Sequence, residues 1–225
     1  MKNIPRNKYP EETRKKILKV AKHLFLTKGY EHTTILDIVE GLQGMTRGAF
    51  YHHFKSKEEV FDAIITLHYD QQNPVILANQ QSHLNGLEKL KYILNKQLNT
   101  EISEEDLQLT KLSISLLDNP LFLANHVKSN RDIAVILAEI IEKGMADGSI
   151  RNGNALVLAE LLLLTINHWF FPSIYPFNEE TANDKIYIVK EIFDHLGMPL
   201  FDDKIISQLE DFAQAFDWGK KNAVR

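Results

Sequence analysis

Residues 46–57, Thr-Arg-Gly-Ala-Phe-Tyr-His-His-Phe-Lys-Ser-Lys, gather the side chains of this 225-residue chain best suited to chemistry. On a helix, Arg47 and Tyr51 are four apart and share a face, with Gly48 and His52 beside them. A guanidinium donates two parallel hydrogen bonds to guanine O6 and N7. A phenol and an imidazole reach phosphates or base edges. Gly48 sits in the first turn although Gly costs about 1 kcal/mol against Ala in a helix, which suggests close approach of the backbone to a partner such as DNA. Lys55 and Lys57 flank the next helix start, where N–H groups and ammonium groups together suit a phosphate. A metal pair at His52 and His53 is disfavoured, because adjacent helical residues point apart and no Cys or nearby carboxylate completes a site. Taken singly, Tyr51 as a core aromatic or Arg47 as a solvated charge is an equal reading. Taken together, the residues favour nucleic-acid contact.

The elements that must hold these residues are legible in the punctuation. Thr34 is placed to cap a helix, with Asp37 completing a capping box. Ile35, Ile38, Val39 and Leu42 then give one apolar face. Gly41 and Gly44 permit a tight turn. Thr46 caps a second helix running through Phe54, with Phe50 and Phe54 directed inward. Ser56 and Glu59 form a further capping box. Two short helices joined by a tight turn are the build of a helix-turn-helix unit, whose second helix enters the major groove.

Residues 12–68 resemble the DNA-binding domain of TetR/AcrR-type transcriptional regulators. The resemblance rests on Thr13–Val39, TRKKILKVAKHLFLTKGYEHTTILDIV, and on Thr46–Ile64, TRGAFYHHFKSKEEVFDAI. The pattern elements are Phe25, Gly29, Tyr30, Thr33, Thr34, Gly48, Phe50, Tyr51, His53, Phe54, Ser56, Lys57 and Glu58. The expected DNA-contact set is Thr33, Thr34, Thr46, Arg47, Gly48, Ala49, Tyr51, His52, Lys55 and Lys57. One departure stands out: Gly41-Leu42-Gln43-Gly44-Met45 is one residue longer than the commonest family pattern. It predicts either a longer second helix or a reshaped turn, and bears on which of residues 46–49 touch bases.

Charge divides the chain in the same place. Residues 1–57 hold 12 Lys/Arg and 5 Asp/Glu, a net of +7, while residues 58–225 hold 14 and 25, a net of −11, and together these give the chain's −4. A basic head suits a polyphosphate, and an acidic body aids solubility. Much of the positive charge lies at Lys2, Arg6, Lys8, Arg14, Lys15, Lys16, Lys19 and Lys22, some of which are expected at phosphates. The absence of Cys excludes disulfides, thiolate catalysis and zinc–thiolate sites, and fits a reducing compartment. Met1–Lys16 has no apolar core of a signal peptide. The longest apolar run, Ala155–Phe171, is interrupted by Glu160, Thr165, Asn167 and His168. A spanning helix needs about 20 largely apolar residues, so a buried or interface helix and no membrane partner are expected.

The remainder reads as helix, so the expected fold is all-α. A helix-turn-helix domain is placed at 1–57 and a helical regulatory and dimerisation domain at 58–225. A helix after Ser56 buries Val60, Ala63, Ile64 and Leu67. Gln71–Asn85, broken by Pro74, reads as a loop or interrupted helix. Further helices are expected at Leu87–Leu98, from Ser103 to about Leu117, from Asn119-Pro120 to Gly144–Gly148, at Asn154–Phe171, at Asn183–Leu196 behind a Thr181/Asp184 cap, and from Asp202 or Asp203 to about Phe216.

The resemblance also implies roles for the body. Two C-terminal helices form a four-helix dimer interface in the family. This assigns 154–171 and 182–196, with Leu158, Leu161, Leu162, Thr165, Trp169, Ile188 and Ile192, and leaves 203–216 as the competing second member. A helix apolar nearly all round, like 155–171, must be covered on several sides. The family's middle helices hold a small-molecule pocket, for which Tyr92, Phe122, His126, Asn130, Asn167, Trp169 and Phe170 are candidates, with Leu116 and Tyr175 conceivable beside them. For each of these an ordinary core role is the stronger reading. The implied function is a homodimeric, cytoplasmic DNA-binding regulator, most often a repressor, acting on a palindromic operator and released by an unknown small molecule. No cofactor, metal or catalytic residue is expected. Two rivals stand: a body that binds a protein partner, and an α-helical enzyme, for which no nucleophile–base spacing or phosphate loop is found.

Overall fold

A computed structural model describes residues 10–71, 73–99, 103–170, 175 and 179–215. Lys2, Arg6, Lys8 and the Phe171 and Phe216 ends of two expected helices lie outside them. All regular structure among the described residues is helical. The chain divides into two compact units, Met1–Gln72 and Asn73–Arg225.

The first unit contains α1 (Pro10–Thr27), α2 (Ile35–Gly41), α3 (Arg47–Tyr51) and α4 (Lys57–Gln71). Its core is Ile17, Leu18, Ala21 and Phe25 of α1, then Tyr30, Ile38, Val39, Phe50, Phe54, Val60, Phe61 and Ile64. Phe25, Tyr30 and Phe61 meet ring to ring at 5.1–6.0 Å. Because α4 packs on α1, it belongs with the head. The unit therefore extends past the boundary expected at 57. Leu67, expected inside, is exposed.

The residues after Gly41 fall in the turn before α3 and not in α2. α2 ends at Gly41, and Gln43 and Gly44 then take φ of +35° and +98°. Gly44 thus serves the turn as expected. Gly41 has a different reason: a Cβ there would lie 2.7 Å from Val20 Cγ1, so α2 crosses α1 at close range.

The second unit contains α5 (Pro74–Gln80), α6 (Gly86–Gln97), α7 (Glu104–Ser115), a 3-10 turn (Leu116–Asp118), α8 (Pro120–Asp147), α9 (Ala155–Leu164), a π-helical turn (Thr165–Trp169), α10 (Glu179–His195) and α11 (Asp203–Ala215). Pro74 opens α5 at the first helical turn behind an Asn73 cap, so the expected interruption is a helix start. α10 begins at Glu179, which leaves Thr181 inside the helix rather than capping it. One contiguous core joins α6, α8, α9, α10 and α11. α11 turns Ile205, Ile206 and Leu209 into that core.

At one end of this core, α6 meets α8 backbone to backbone. A Cβ on Gly86 would collide with the backbone of Gly144. The first amides of α6 are satisfied there by the end of α8 and the turn after it: Gly86 N–H donates to Asp147 Oδ2 at 2.8 Å and Leu87 N–H to Ser149 Oγ at 3.1 Å. These are orphan donors of the helix N-terminus, and a carboxylate suits that end.

Candidate functional site

α3 is only 5 residues long, so its position depends on what holds its ends. Thr46 caps it, accepting from the Ala49 N–H at 3.1 Å. Phe50 and Phe54, fully buried, anchor the inward side. Helix geometry then turns Arg47, Gly48, Tyr51 and His52 to solvent, while Ala49 is half-buried. Tyr51 is 47% exposed and leans edge-on against Phe50 at 5.6 Å between centroids. A Cβ on Gly48 would meet nothing closer than Thr46 Oγ1 at 3.9 Å, so no neighbour within the chain demands this glycine.

The start of α2 is built as expected. Thr34 accepts from the Asp37 N–H at 3.1 Å, and its own N–H and hydroxyl donate to Asp37 Oδ2 at 2.7 and 2.8 Å. Lys28 Nζ lies 2.7 Å from the same oxygen. The hydrogen bond from Lys28, followed by those from Thr34, holds the Asp37 carboxyl down at about 2. Arg14 stacks on the Phe54 ring at 5.1 Å, and Lys15, Lys16 and Lys19 are exposed along α1.

Two members of the expected contact set face inward. Thr33 is 1% exposed, and its hydroxyl is bonded to the Gly29 carbonyl at 2.7 Å and directed at that of Leu24 at 3.3 Å. It braces the turn after α1 and has no group left for DNA. Lys57 donates to the Tyr30 carbonyl at 2.7 Å and sits 4.1 Å from the Tyr30 ring centroid. Tyr30 in turn donates to Glu58 at 3.2 Å. The Lys57 ammonium therefore ties α4 to the end of α1. Lys55 is exposed, and its backbone N–H donates to Glu59 at 2.6 Å.

In the body, a small cavity of about 40 Å³ opens among α5, α6, α8 and α9. α6 supplies Leu90, Ile93, Leu94 and Gln97; the end of α9 and the π turn supply Leu162, Leu163, Ile166 and Asn167; Val75, Ile133 and Leu137 close it. Of the seven expected pocket residues only Asn167 lines it. Phe122 and Phe170 are buried, and Tyr92 and Trp169 pack against the core. Asn130 and His126 lie behind Asn167: Asn167 Nδ2 donates to Asn130 Oδ1 at 3.0 Å, Asn130 Nδ2 lies 2.9 Å from His168 Nε2, and the His126 and His168 rings meet edge-on at 5.4 Å. Burial pushes both imidazoles below the ordinary histidine range, and for His126 the neighbouring His168 adds to it. The expected pocket set leaves out His168, although it interrupts the same apolar run as Asn167. It also passed over the aliphatic wall from α6, whose residues look like any amphipathic helix.

The expected dimer residues fall on two sides. Leu158, Leu162 and Thr165 turn into the body's own core, because positions four and seven apart share one helix face. Leu161 and Trp169 are half-buried, and Ile188 and Ile192 are exposed. Val157 and Leu164 on α9 and Tyr187 on α10 are exposed too, at 55, 58 and 56%. No helix among the described residues is long and apolar enough to cross a membrane.

Known proteins bear on both units. Residues 17–64 match the profile of bacterial regulatory proteins of the tetR family. The probable HTH-type transcriptional regulator ArpR of Pseudomonas putida is 33% identical over 90 residues, 40% of this chain and 42% of that protein, so the match spans less than half its length. IcaR of Staphylococcus aureus (strain Newman), the HTH-type negative transcriptional regulator of the biofilm operon icaADBC, is 25% identical over 186 residues, 79% of this chain and 97% of that protein. The crystal structure of a TetR-family transcriptional regulator from Pectobacterium atrosepticum has the same fold, with a TM-score of 0.55 and 17% identity over 94% of each chain. Residues 17–64 thus match the tetR family of bacterial regulatory proteins over the helix-turn-helix head, and the chain shares its fold with a TetR-family regulator.

Proposed function

We propose that the chain is a homodimeric transcriptional repressor that reads a palindromic operator and is released from it by a small molecule. The observation that carries this reading is α3. Its apolar side is locked by Phe50 and its start by Thr46, so Arg47, Tyr51 and His52 are held outward on one short helix. Arg47 is assigned to a base edge, and Tyr51, His52 and Lys55 to phosphates or base edges. Thr34, Thr46, Gly48 and Ala49 line the same approach. The repressor sense is supported by the likeness to IcaR, a negative regulator.

One such helix reads few bases, and two about 34 Å apart read a palindrome. The exposed apolar side chains Val157 and Leu164 of α9 and Tyr187, Ile188 and Ile192 of α10 form the proposed dimer face. α11 is a poorer candidate, because its apolar side is already buried. A small molecule in the body shifts operator affinity only by binding one arrangement of the dimer better than the other. A repressor of this kind works in the cytoplasm.

The test is selection of fragments from sheared genomic DNA by the purified protein at physiological salt. Recovery of a palindromic site supports the reading and gives the half-site spacing. Recovery of no sequence, with only weak salt-sensitive binding, overturns it.

A further inference from the structure

Asn130, Asn167 and His168 form a chain of polar side chains across the junction of α8 with the π turn, and the chain fits one protonation state of His168. Asn167 Nδ2 donates to Asn130 Oδ1 at 3.0 Å, which leaves Asn130 with its Nδ2 toward His168 Nε2 at 2.9 Å. An amide nitrogen donates and does not accept, so Nε2 accepts and the imidazole is neutral, with its proton on Nδ1. Asn130 is 8% exposed, so these bonds, and not water, satisfy its amide.

A second proton on His168 would set N–H against N–H. Asn130 can turn its oxygen to the ring only if Asn167 turns as well, because the first turn alone brings two amide nitrogens together. The cation so formed has no counter-ion. Among the described residues no carboxylate acts on either imidazole: burial alone moves His168, and the one charge felt by His126 is that of His168, whose ring it meets edge-on at 5.4 Å. The Asn167 backbone acts on His126 in the opposite sense, as a hydrogen-bond partner. Charged side chains of the elements packed here stay outside: Lys96 of α6, Asp118 of the 3-10 turn, Lys128, Arg131 and Asp132 of α8 and Glu160 of α9 are exposed. Lys185 of α10 does approach, and it is a cation, donating to the Trp169 carbonyl at 2.9 Å.

That contact gives the junction a second arm. The π turn is tied to α8 through Asn130 and to α10 through Trp169 and Lys185, and α10 carries Tyr187, Ile188 and Ile192 of the proposed dimer face. A π turn is a local widening of a helix, an irregularity that recurs at functional sites.

We propose that the Asn130–His168 contact is a proton switch: neutral His168 fastens the π turn to α8, and the protonated ring breaks that fit and loosens α10 against α8. Burial holds both imidazoles below the ordinary value of 6.5 in the folded chain. The contact is therefore complete above about pH 6.5 and is lost as pH falls through the folded value.

The experiment follows the side-chain NMR signals of the full chain between pH 8 and 5, with thermal unfolding at both ends of the range. The Asn130 amide signals should move with the same midpoint as the His168 ring, and the Trp169 indole signal should follow. Asn130 signals that stay still while His168 titrates overturn the switch, and a still Trp169 signal overturns the link to α10. His168→Gln offers Asn130 an acceptor and takes no proton. Its Tm should fall by about 2–4 °C less than the parent's across the range. A ring that only fills space would leave the two falls equal, and equal falls overturn the proposal. Asn130→Asp puts a carboxylate beside the ring and should raise the His168 midpoint by about 1–3 pH units; an unchanged midpoint also overturns it. The consequence for the dimer rests on the repressor reading above. Sequence-specific DNA binding with still Asn130 signals sinks the switch alone, and moving signals without sequence-specific binding sink the repressor reading alone.

Discussion

In the head, the polar side chains of interest stand on a helix of 5 residues and face solvent. In the body, the corresponding side chains, Asn130, Asn167 and His168, are largely enclosed and reach one another across 37 and 38 residues of sequence. On the proposed function, the contrast reflects two binding problems. A phosphate backbone is large and charged, so a surface of donors suffices. A small molecule is held in a mostly apolar pocket, so its polar partners are few, oriented and enclosed. The head therefore relies on local caps to aim side chains outward, while in the body tertiary hydrogen bonds join Asn167 and His168 through Asn130.

The largest effect that would separate the two units is Gly86→Ala. The added methyl collides with the Gly144 backbone, which cannot rotate away. A loss of about 1–3 kcal/mol or more in denaturant unfolding is expected, centred on the body. A silent substitution would mean that α6 and α8 separate easily. Next comes Arg47→Ala, which touches nothing in the core. It should leave the midpoint unchanged and relax base preference by about 1–3 kcal/mol, read as the affinity ratio between matched and mismatched operators. An unchanged ratio would make Arg47 a phosphate contact.

The lysine pair sharpens the comparison within the head. Lys57→Ala removes the bond to the Tyr30 carbonyl and should cost about 1 kcal/mol of stability with little change in the salt slope of DNA binding. Lys55→Ala should do the opposite, lowering the slope by about one at constant stability. Gly48→Ala has a smaller effect of opposite sign on folding. With open space around the site it should stabilise by about 0.5–1 kcal/mol and yet weaken operator binding if the backbone approaches DNA closely there. A tighter-binding Gly48→Ala would remove that assignment.

The gentlest probe is acid. The folded Asp37 carboxyl lies at about 2, below its ordinary value near 3.8, so its contribution is present above about pH 4 and is lost as pH falls toward 2. Following the unfolding midpoint between pH 5 and 2 should show this slope, and Asp37→Asn should flatten it.

Which features were legible in the sequence follows from the span of the interactions. Thr34 with Asp37, Thr46 with Ala49 and Ser56 with Glu59 all act three residues apart, so their roles can be read from the order of residues alone. Phe50 and Phe54 declare their face by helical spacing. Lys57 misleads because its partner, Tyr30, is 27 residues earlier and offers a carbonyl, which no side-chain pattern announces. Thr33 misleads because a threonine beside a capping threonine looks exposed, whereas the turn at Gly29 draws it inside. The helical layout of the body was legible; its cavity was not, since Leu90 or Ile93 cannot be told from ordinary core until α8 and α9 are placed against them.

The contact between Gly86 and Gly144 has a mechanical consequence. α6 is fastened at its first turn, by two glycines in backbone contact and by Asp147 and Ser149, while its other half forms a cavity wall. A rod held at one end does not shift when pushed at the other; it swings. At 1.5 Å per residue, the 12 residues of α6 make an arm of about 18 Å. A shift of about 1 Å at its far end, where Ile93 and Leu94 pack in the core, would turn that arm by about 3°, so a displacement smaller than a bond length becomes a change of direction.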